Sequence, residues 1–417
     1  MRLIRITTNY ITYLREIYSR NLSLENQPYL SQYAYLMSDC FGWADFWTHA
    51  LNKLGYEVWE PVANAEVMQK KWAIENNINF DPNSWLLGIV KHQIISYKPD
   101  ILFADDYHTF NKDFLNELRD SCKSIKLVIG WCGAPYDDEN VFSAHDLVLS
   151  NIPELVAEFQ NLGHRSQYFK HAFEPRVLKY IGDTINSRTL NSDILFSFAG
   201  SIVAGKLGHK QRIKLLKQLI KNIDMDIFCD LNQFSSKEIF LGRLKPLFYD
   251  LVNLLTQIDT FKHILKKIPK FQKFMNMKTR PSFYRQIDRD IISKVRRPVF
   301  GLEMFKVLSK SSVTFNNHID ISRNSASNMR LFEATGVGTC LLTDWKPNLH
   351  ELFEPDYEVV TYRSVEECIE KAKWLLDNPT ERDKIAKAGQ ARTLREHTFD
   401  HRALVLDDII QNFLKIK

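Results

Sequence analysis

The 417-residue sequence predicts an α/β protein of two doubly wound, Rossmann-like domains facing a central cleft, with a basic helical insertion in the second. Three observations predict it. Short, nearly all-apolar runs such as DILFA (Asp100–Ala104), KLVIG (Lys126–Gly130) and DLVLS (Asp146–Ser150) stand between turn residues, as strands buried on both faces do. Helical patterns alternate with these runs, which demands parallel strands covered on both sides. The same rhythm starts again near residue 190, and at roughly 100–200 residues per domain this length holds two or three domains.

The elements follow in order. Arg2–Thr7 (RLIRIT) opens as a strand. One helix is predicted over Tyr33–Leu54, stopped by Gly55, and Tyr56–Trp59 is the next strand. Helices over Glu66–Asn76 and Ser84–Tyr97 precede the three apolar runs. Pro153–Leu162 is a helix stopped by Gly163, and Gln167–Phe169 closes the first sheet. The second unit reads strand Ile194–Ala199, helix Gln211–Asn222 and strand Asp226–Cys229. It resumes with helix Gly301–Lys310, strand Val313–Asn316, helix Asn328–Thr335, and strands Thr339–Thr343 and Glu358–Thr361. Helices Val365–Leu376, Glu381–Glu396 and His401–Leu414 end the chain. The domains are placed at 1–175 and 176–400, with 401–417 a helix packing back toward the first domain. Two facing sheets leave a cleft at the carboxyl ends of their strands. This is the GT-B architecture, and other two-Rossmann proteins share its outline, so fold alone leaves function open.

Composition narrows the class. Hydrophobic residues are 45% and charged residues 25%, the balance of a globular protein, and a net charge of +5 does not point to nucleic acid. Cys40, Cys122, Cys132, Cys229, Cys340 and Cys368 are scattered without a CxxC pair, which fits reduced thiols in the cytoplasm. The N-terminus lacks an apolar signal core, and no apolar run is long enough to span a membrane. The insertion, about 232–298, differs from the rest: 237–297 holds 15 Lys and Arg against 5 Asp and Glu. Leu247, Leu251, Leu254, Leu255 and Ile258 recur there at helical spacing. Two readings stand: a helical insertion packed on its own domain, or a basic amphipathic surface resting on an anionic membrane, peripherally at its inner face.

The segment Asn316–Asp344 carries the chemistry. It reads strand, polar loop, helix, glycine stop, strand. Ser327 is the expected helix cap, leaving Asn328 and Arg330 in the first turn. Free N–H groups and the helix dipole attract an anion there, and Arg330 adds a planar fork suited to phosphate. Glu333 lies one turn on, placed to accept from both hydroxyls of a ribose, although the same spacing also describes a simple i, i+3 ion pair.

FEATGVGTCLLTDW and the following LFEPDYEVVTYRSVEECIEKAKWLLDNPTERDKIAKAGQARTLREHTF resemble the C-terminal domain of CgeB-like glycosyltransferases, kin of the group-1 (family 4) GT-B enzymes. HDLVLSNIPELVAEFQNLGHRSQYFKHAFEP and the opening with Trp43–Trp72 resemble them too, so the similarity covers most of the chain outside the insertion. The resemblance implies transfer of a sugar from a nucleotide-diphosphate sugar to a glycan or lipid-linked saccharide, in cell-surface polysaccharide biosynthesis. It implies that Glu333 is the second, ribose-binding Glu of a Glu-x7-Glu motif. Ser325 stands where the first Glu would be, which leaves the sugar and the stereochemical outcome open; retention is implied by kinship only. His318 and Asn328 are candidate sugar contacts. Gly200 and Ser201 match the glycine turn that lets diphosphate approach backbone, and Lys206, Lys210 and Arg212 are candidate phosphate cations or a solvated basic helix start.

On the acceptor side, Asp105, Asp106 and His171 are candidates for a catalytic base, although a leaving phosphate can serve instead. Asp224-Met225-Asp226 spells a DxD motif, discounted because it enters a strand and two carboxylates are a weak metal signal. No cofactor or essential metal is expected. Two other functions fit the same fold: a sugar-nucleotide epimerase, which needs no acceptor, and a binding protein that has lost catalysis, suggested by Ser325.

Overall fold

Each sheet is built from the runs that burial demands. In the first, β1 (Arg2–Ile6), β2 (Glu57–Trp59), β3 (Ile101–Ala104), β4 (Leu127–Trp131), β5 (Leu147–Ser150) and β6 (Ser166–Tyr168) stand in the order β2-β1-β3-β4-β5-β6. All neighbours are parallel, with Leu3 opposite Ile101 and Ile101 opposite Leu127. Every residue of β3 is fully buried, which is why its sequence shows no polar alternation. The second sheet, β7 (Ile194–Ala199), β8 (Asp226–Phe228), β9 (Val295–Arg296), β10 (Ser311–Asn316), β11 (Cys340–Asp344) and β12 (Val360–Tyr362), has the order β12-β11-β10-β7-β8-β9 and is likewise parallel.

The structure is a computed structural model that describes residues 1–416 except 137, 139, 183–193, 203–208, 231–235, 258–270, 272–274 and 276–288. The side chains of 236–243, 289 and 416 also lie outside this description. Lys206 and much of the insertion fall among the undescribed residues.

Three local differences have physical causes. The helix predicted over Tyr33–Leu54 is two, Tyr29–Ser38 and Phe46–Asn52. Between them Cys40, Gly42 and Ala44 all take positive φ, which no helix can contain. Helices Ile11–Arg20 and Lys112–Ser121 are additional; the second is capped by Asn111, whose side chain accepts from the Phe114 amide. Strand β9 is a two-residue edge strand inside the basic stretch, too short and too charged to read as one.

The chain crosses to the second domain near 173 and returns near 398. There Phe173 N–H donates to His397 O at 2.8 Å and Phe399 N–H donates to Phe173 O at 3.0 Å. The last helix, Phe399–Ile416, lies on the first domain, with the Phe399 ring 5.0 Å from both Phe46 and Trp47. One apolar cluster runs through both domains and includes Trp43, Phe103, Phe173, Phe305 and Phe332. Its closeness fixes two glycines. A Cβ on Gly336 would stand 2.3 Å from the Phe173 ring. One on Gly301, at φ +53°, would stand 2.0 Å from an Asp39 carboxylate oxygen.

Candidate functional site

In each sheet the strand order reverses once, between β1 and β3 and between β7 and β10, and crevices at such reversals are where doubly wound sheets bind ligands. The carboxyl ends of both reversals open into one cleft of about 1270 Å³. From the first domain it is lined by Thr8, Tyr10, Asp105, Trp131 and His171, and from the second by Gly200, Ser201, Arg212, Asn328, Arg330 and Glu333.

Arg212 straddles the second reversal. Its Nη1 donates to Ser201 O at 2.7 Å and its Nη2 to Asn317 O, joining the ends of β7 and β10. It is 7% exposed, and no carboxylate among the described residues lies within salt-bridge distance. Burial lowers its pKa to about 10, partly offset by Asp344, so it stays charged at neutral pH. Gly200 takes the turn after β7, with its N–H on Phe228 O at 3.1 Å.

The helix after the polar loop is Arg330–Gly336. Ser327 does not cap it: the cap position is Met329, and the Ser327 hydroxyl pairs instead with Ser322 Oγ at 2.8 Å. Arg330 Nη1 meets Glu333 Oε2 at 2.9 Å with side chains only 14% and 10% exposed. The i, i+3 pair therefore exists, but it is sunk into the cleft wall rather than spread on a solvated face. Burial holds the Glu333 carboxyl above the ordinary Glu range, and Arg330 pulls it partway back. Asn328 lines the cleft with its amide on Asn316 Oδ1 at 2.7 Å.

His318 is a correction. Its ring is fully buried outside the cleft lining, with Nδ1 at 2.7 Å from Asp344 Oδ1, and its backbone N–H donates to the same oxygen at 3.0 Å. It fastens the loop after β10 to the end of β11 instead of facing a sugar. Asp344 is held at about 2; burial opposes this, and His318 with Lys346 outweighs it. Lys210 places its backbone N–H on Asp320 at 2.9 Å, which caps the helix Lys210–Asn222.

Across the cleft, two of the three candidate bases, Asp105 and Asp106, are already engaged. Asp105 pairs with buried Arg5, which also pairs with fully buried Glu60. Asp106 accepts from the hydroxyls of Thr8 (2.6 Å) and Thr109 (2.7 Å) and from two backbone N–H groups, a loop-capping role. His171 lines the cleft against Trp43 and Trp131, and burial lowers its imidazole pKa to about 3, with Arg402 adding to the shift. Trp47 and Trp72 belong to the core. Asp224 and Asp226 pair with Lys294 and Arg296, and no group of three metal-ligating side chains occurs among the described residues.

Sequence reasoning missed the contributions that only the fold assembles. Tyr10, after β1, and Phe300, before the helix Gly301–Lys310, face each other at the cleft with ring centroids 6.5 Å apart, close to Phe41. Met304 supplies a thioether at 3.1 Å from Arg330 Nη1. Of these, Tyr10 alone had a signal, its position shortly after the first strand; Phe300 and Met304 had none.

A family profile described as "Glycosyl transferase-like" matches residues 277–408. No curated protein matches the chain. Among solved structures, sucrose-phosphate synthase from Thermosynechococcus elongatus superposes with a TM-score of 0.54 at 9% identity, covering 100% of both chains. Anabaena HepE in complex with UDP-glucose also gives 0.54, at 10% identity, covering 99% of this chain and 100% of its own. A glycosyltransferase from Rickettsia africae gives 0.50 at 8% identity, covering 100% of this chain and 99% of its own. At such identities the likeness concerns the fold, and the fold is GT-B.

Proposed function

We propose that the protein is a glycosyltransferase that holds a nucleoside-diphosphate sugar on its second domain and passes the sugar to a saccharide entering along the first. One observation carries the reading: buried Arg212 and the sunken Arg330–Glu333 pair converge with the Gly200–Ser201 turn at the reversal point of the second sheet, inside one cleft. That set meets a nucleoside diphosphate group by group. The diphosphate lies over the Gly200–Ser201 backbone between the two guanidinium groups, and Glu333 accepts from the ribose hydroxyls. The family profile and the UDP-glucose complex of HepE support the same ligand class.

In the proposed reaction the bond from the anomeric carbon to the diphosphate oxygen breaks, and a bond forms from that carbon to an acceptor hydroxyl oxygen. Charge grows on the departing diphosphate, where Arg212 and Arg330 stabilise it without a metal. With Asp105 and Asp106 both engaged, the hydroxyl proton passes to a diphosphate oxygen. We further propose a lipid-linked or polysaccharide acceptor reached at an anionic membrane. Leu247, Leu251 and Leu254 of the helix Ser236–Leu255 are 62%, 47% and 63% exposed on one face of the basic stretch, which supports that reading. No helix among the described residues is long and apolar enough to cross a membrane.

The test is thermal unfolding across a panel of nucleoside diphosphates and their sugars. A true ligand at a hundredfold excess over its Kd adds about 2.7 kcal/mol. Absence of stabilisation by every member at millimolar concentration overturns the reading.

A further inference from the structure

The loop 317–329, between β10 and the helix Arg330–Gly336, ends on the residues that line the donor side of the cleft. It belongs to the second domain, yet the first domain grips it at three points. Ile321 packs against a first-domain cluster that includes Tyr107, Cys132, Phe142 and Phe159. The Glu154 carboxylate, in the first turn of the helix Pro153–Asn161, accepts from the Asn324 backbone N–H at 3.0 Å and from Ser325 Oγ at 2.7 Å. The Asn151 amide donates to Ser327 O at 2.7 Å in a buried contact.

Within the loop, Ser322 Oγ donates to Ser325 O at 2.6 Å and pairs with Ser327 Oγ at 2.8 Å. From its own domain, Asn348 Oδ1 accepts from the Ala326 N–H at 2.6 Å. Ser325 therefore stands in a tied turn that leads directly to Asn328 and Arg330. Both Glu154 bonds use an ionised acceptor, and such bonds are about twice as strong as neutral ones.

We propose that Glu154 is a positioning residue of the donor site: from the opposite domain its carboxylate sets the loop 322–328, and through it Arg330 and Glu333, so the donor site is complete only while the domains are docked. This rests on the glycosyltransferase reading for its consequence, but not for its geometry. A carboxylate in a first helical turn also has a local use, stabilising its own helix. The two roles separate by where a substitution is felt.

The experiment uses the full chain and the variants Glu154→Ala, Glu154→Gln and Ser325→Ala. Amide hydrogen exchange is read by mass spectrometry without ligand, and UDP affinity by calorimetry. In Glu154→Ala, exchange across 322–328 accelerates and UDP binding weakens, each by roughly tenfold. Glu154→Gln, which keeps one acceptor oxygen, falls between it and the wild type. Ser325→Ala leaves the first domain intact and moves both readouts the same way by less. The double variant Glu154→Ala/Ser325→Ala is no weaker than Glu154→Ala, because Glu154→Ala already removes the one Glu154 contact that Ser325→Ala takes away. In turnover, the KM for donor rises while that for acceptor holds, although the altered residue lies in the acceptor domain. Acceleration confined to 153–158 overturns the proposal, as does a faster-exchanging loop with unchanged UDP affinity. Wild-type protein that binds no UDP counts against the donor assignment, and the exchange pattern then judges the grip by itself.

Discussion

Replacing Glu333 by Gln separates ribose recognition from everything else at the site. The substitution keeps shape and one acceptor oxygen. Arg330 Nη1, 2.9 Å from Glu333 Oε2, keeps a partner, so the unliganded protein loses at most about 1 kcal/mol. Nucleotide binding loses more. Two ribose hydroxyls donating to one carboxylate make charged hydrogen bonds of about 1.5–3 kcal/mol each, and an amide offers one neutral acceptor of about 0.5–1.5 kcal/mol. The net loss of about 1.5–5.5 kcal/mol raises the Kd for UDP roughly 10-fold at the least and up to about 10,000-fold. Titration calorimetry reads this directly, with inorganic pyrophosphate as the internal comparison. Pyrophosphate has no ribose, so its affinity holds or tightens as a negative charge leaves the cleft wall. A UDP affinity within twofold of wild type refutes the argument. Equal weakening of UDP and pyrophosphate refutes it too, since Glu333 would then act through the phosphate cations.

Three further outcomes follow from the same geometry. Because burial raises the Glu333 pKa, UDP binding by the wild type falls more steeply than that of Glu333→Gln as pH drops from 7.5 to 5, while the same group favours folding at low pH and loses that contribution as pH rises through its folded value; calorimetry at several pH values checks the difference in slope. Asp344→Asn keeps one acceptor oxygen but removes the negative charge beside the His318 ring and Lys346, lowering stability by about 1–3 kcal/mol at pH 7; since Asp344 is held at about 2, below its ordinary 3.8, the deficit shrinks as pH falls through that window, which urea unfolding at pH 7 and pH 2.5 reads. Leu247→Glu with Leu251→Glu abolishes co-flotation with vesicles containing anionic lipid if the exposed face rests on a membrane, and undiminished flotation removes that proposal.

How far the sequence reached depended on the range of the forces involved. Strands β3, β4 and β5 were legible to within a residue because full burial on both faces leaves only apolar side chains. Arg330 and Glu333 were legible as a pair because helical spacing is a local rule. The break at 40–44 was half visible in Gly42; Cys40 and Ala44 at positive φ carry no compositional mark. The helix Ile11–Arg20 buries Tyr13, Leu14 and Ile17 at helical spacing and was open to a closer count. His318 misled because a polar residue after a strand reads alike whether it meets a ligand or a neighbouring strand's Asp. The vacancy at Ser325 was plain, but its partner Glu154 stands 171 residues away, and no local rule joins them.

The place where the chain passes twice between the domains has a mechanical meaning. Had the two crossings been far apart, they would brace the halves against turning. They lie side by side instead, pinned by Phe173 and His397. What holds the halves against turning is therefore what they bury between them: the apolar cluster with Trp43, Phe103, Phe173, Phe305 and Phe332, with Leu302 N–H on Asp39 O, Thr12 on Asp230 and Arg20 on Glu303 beside it.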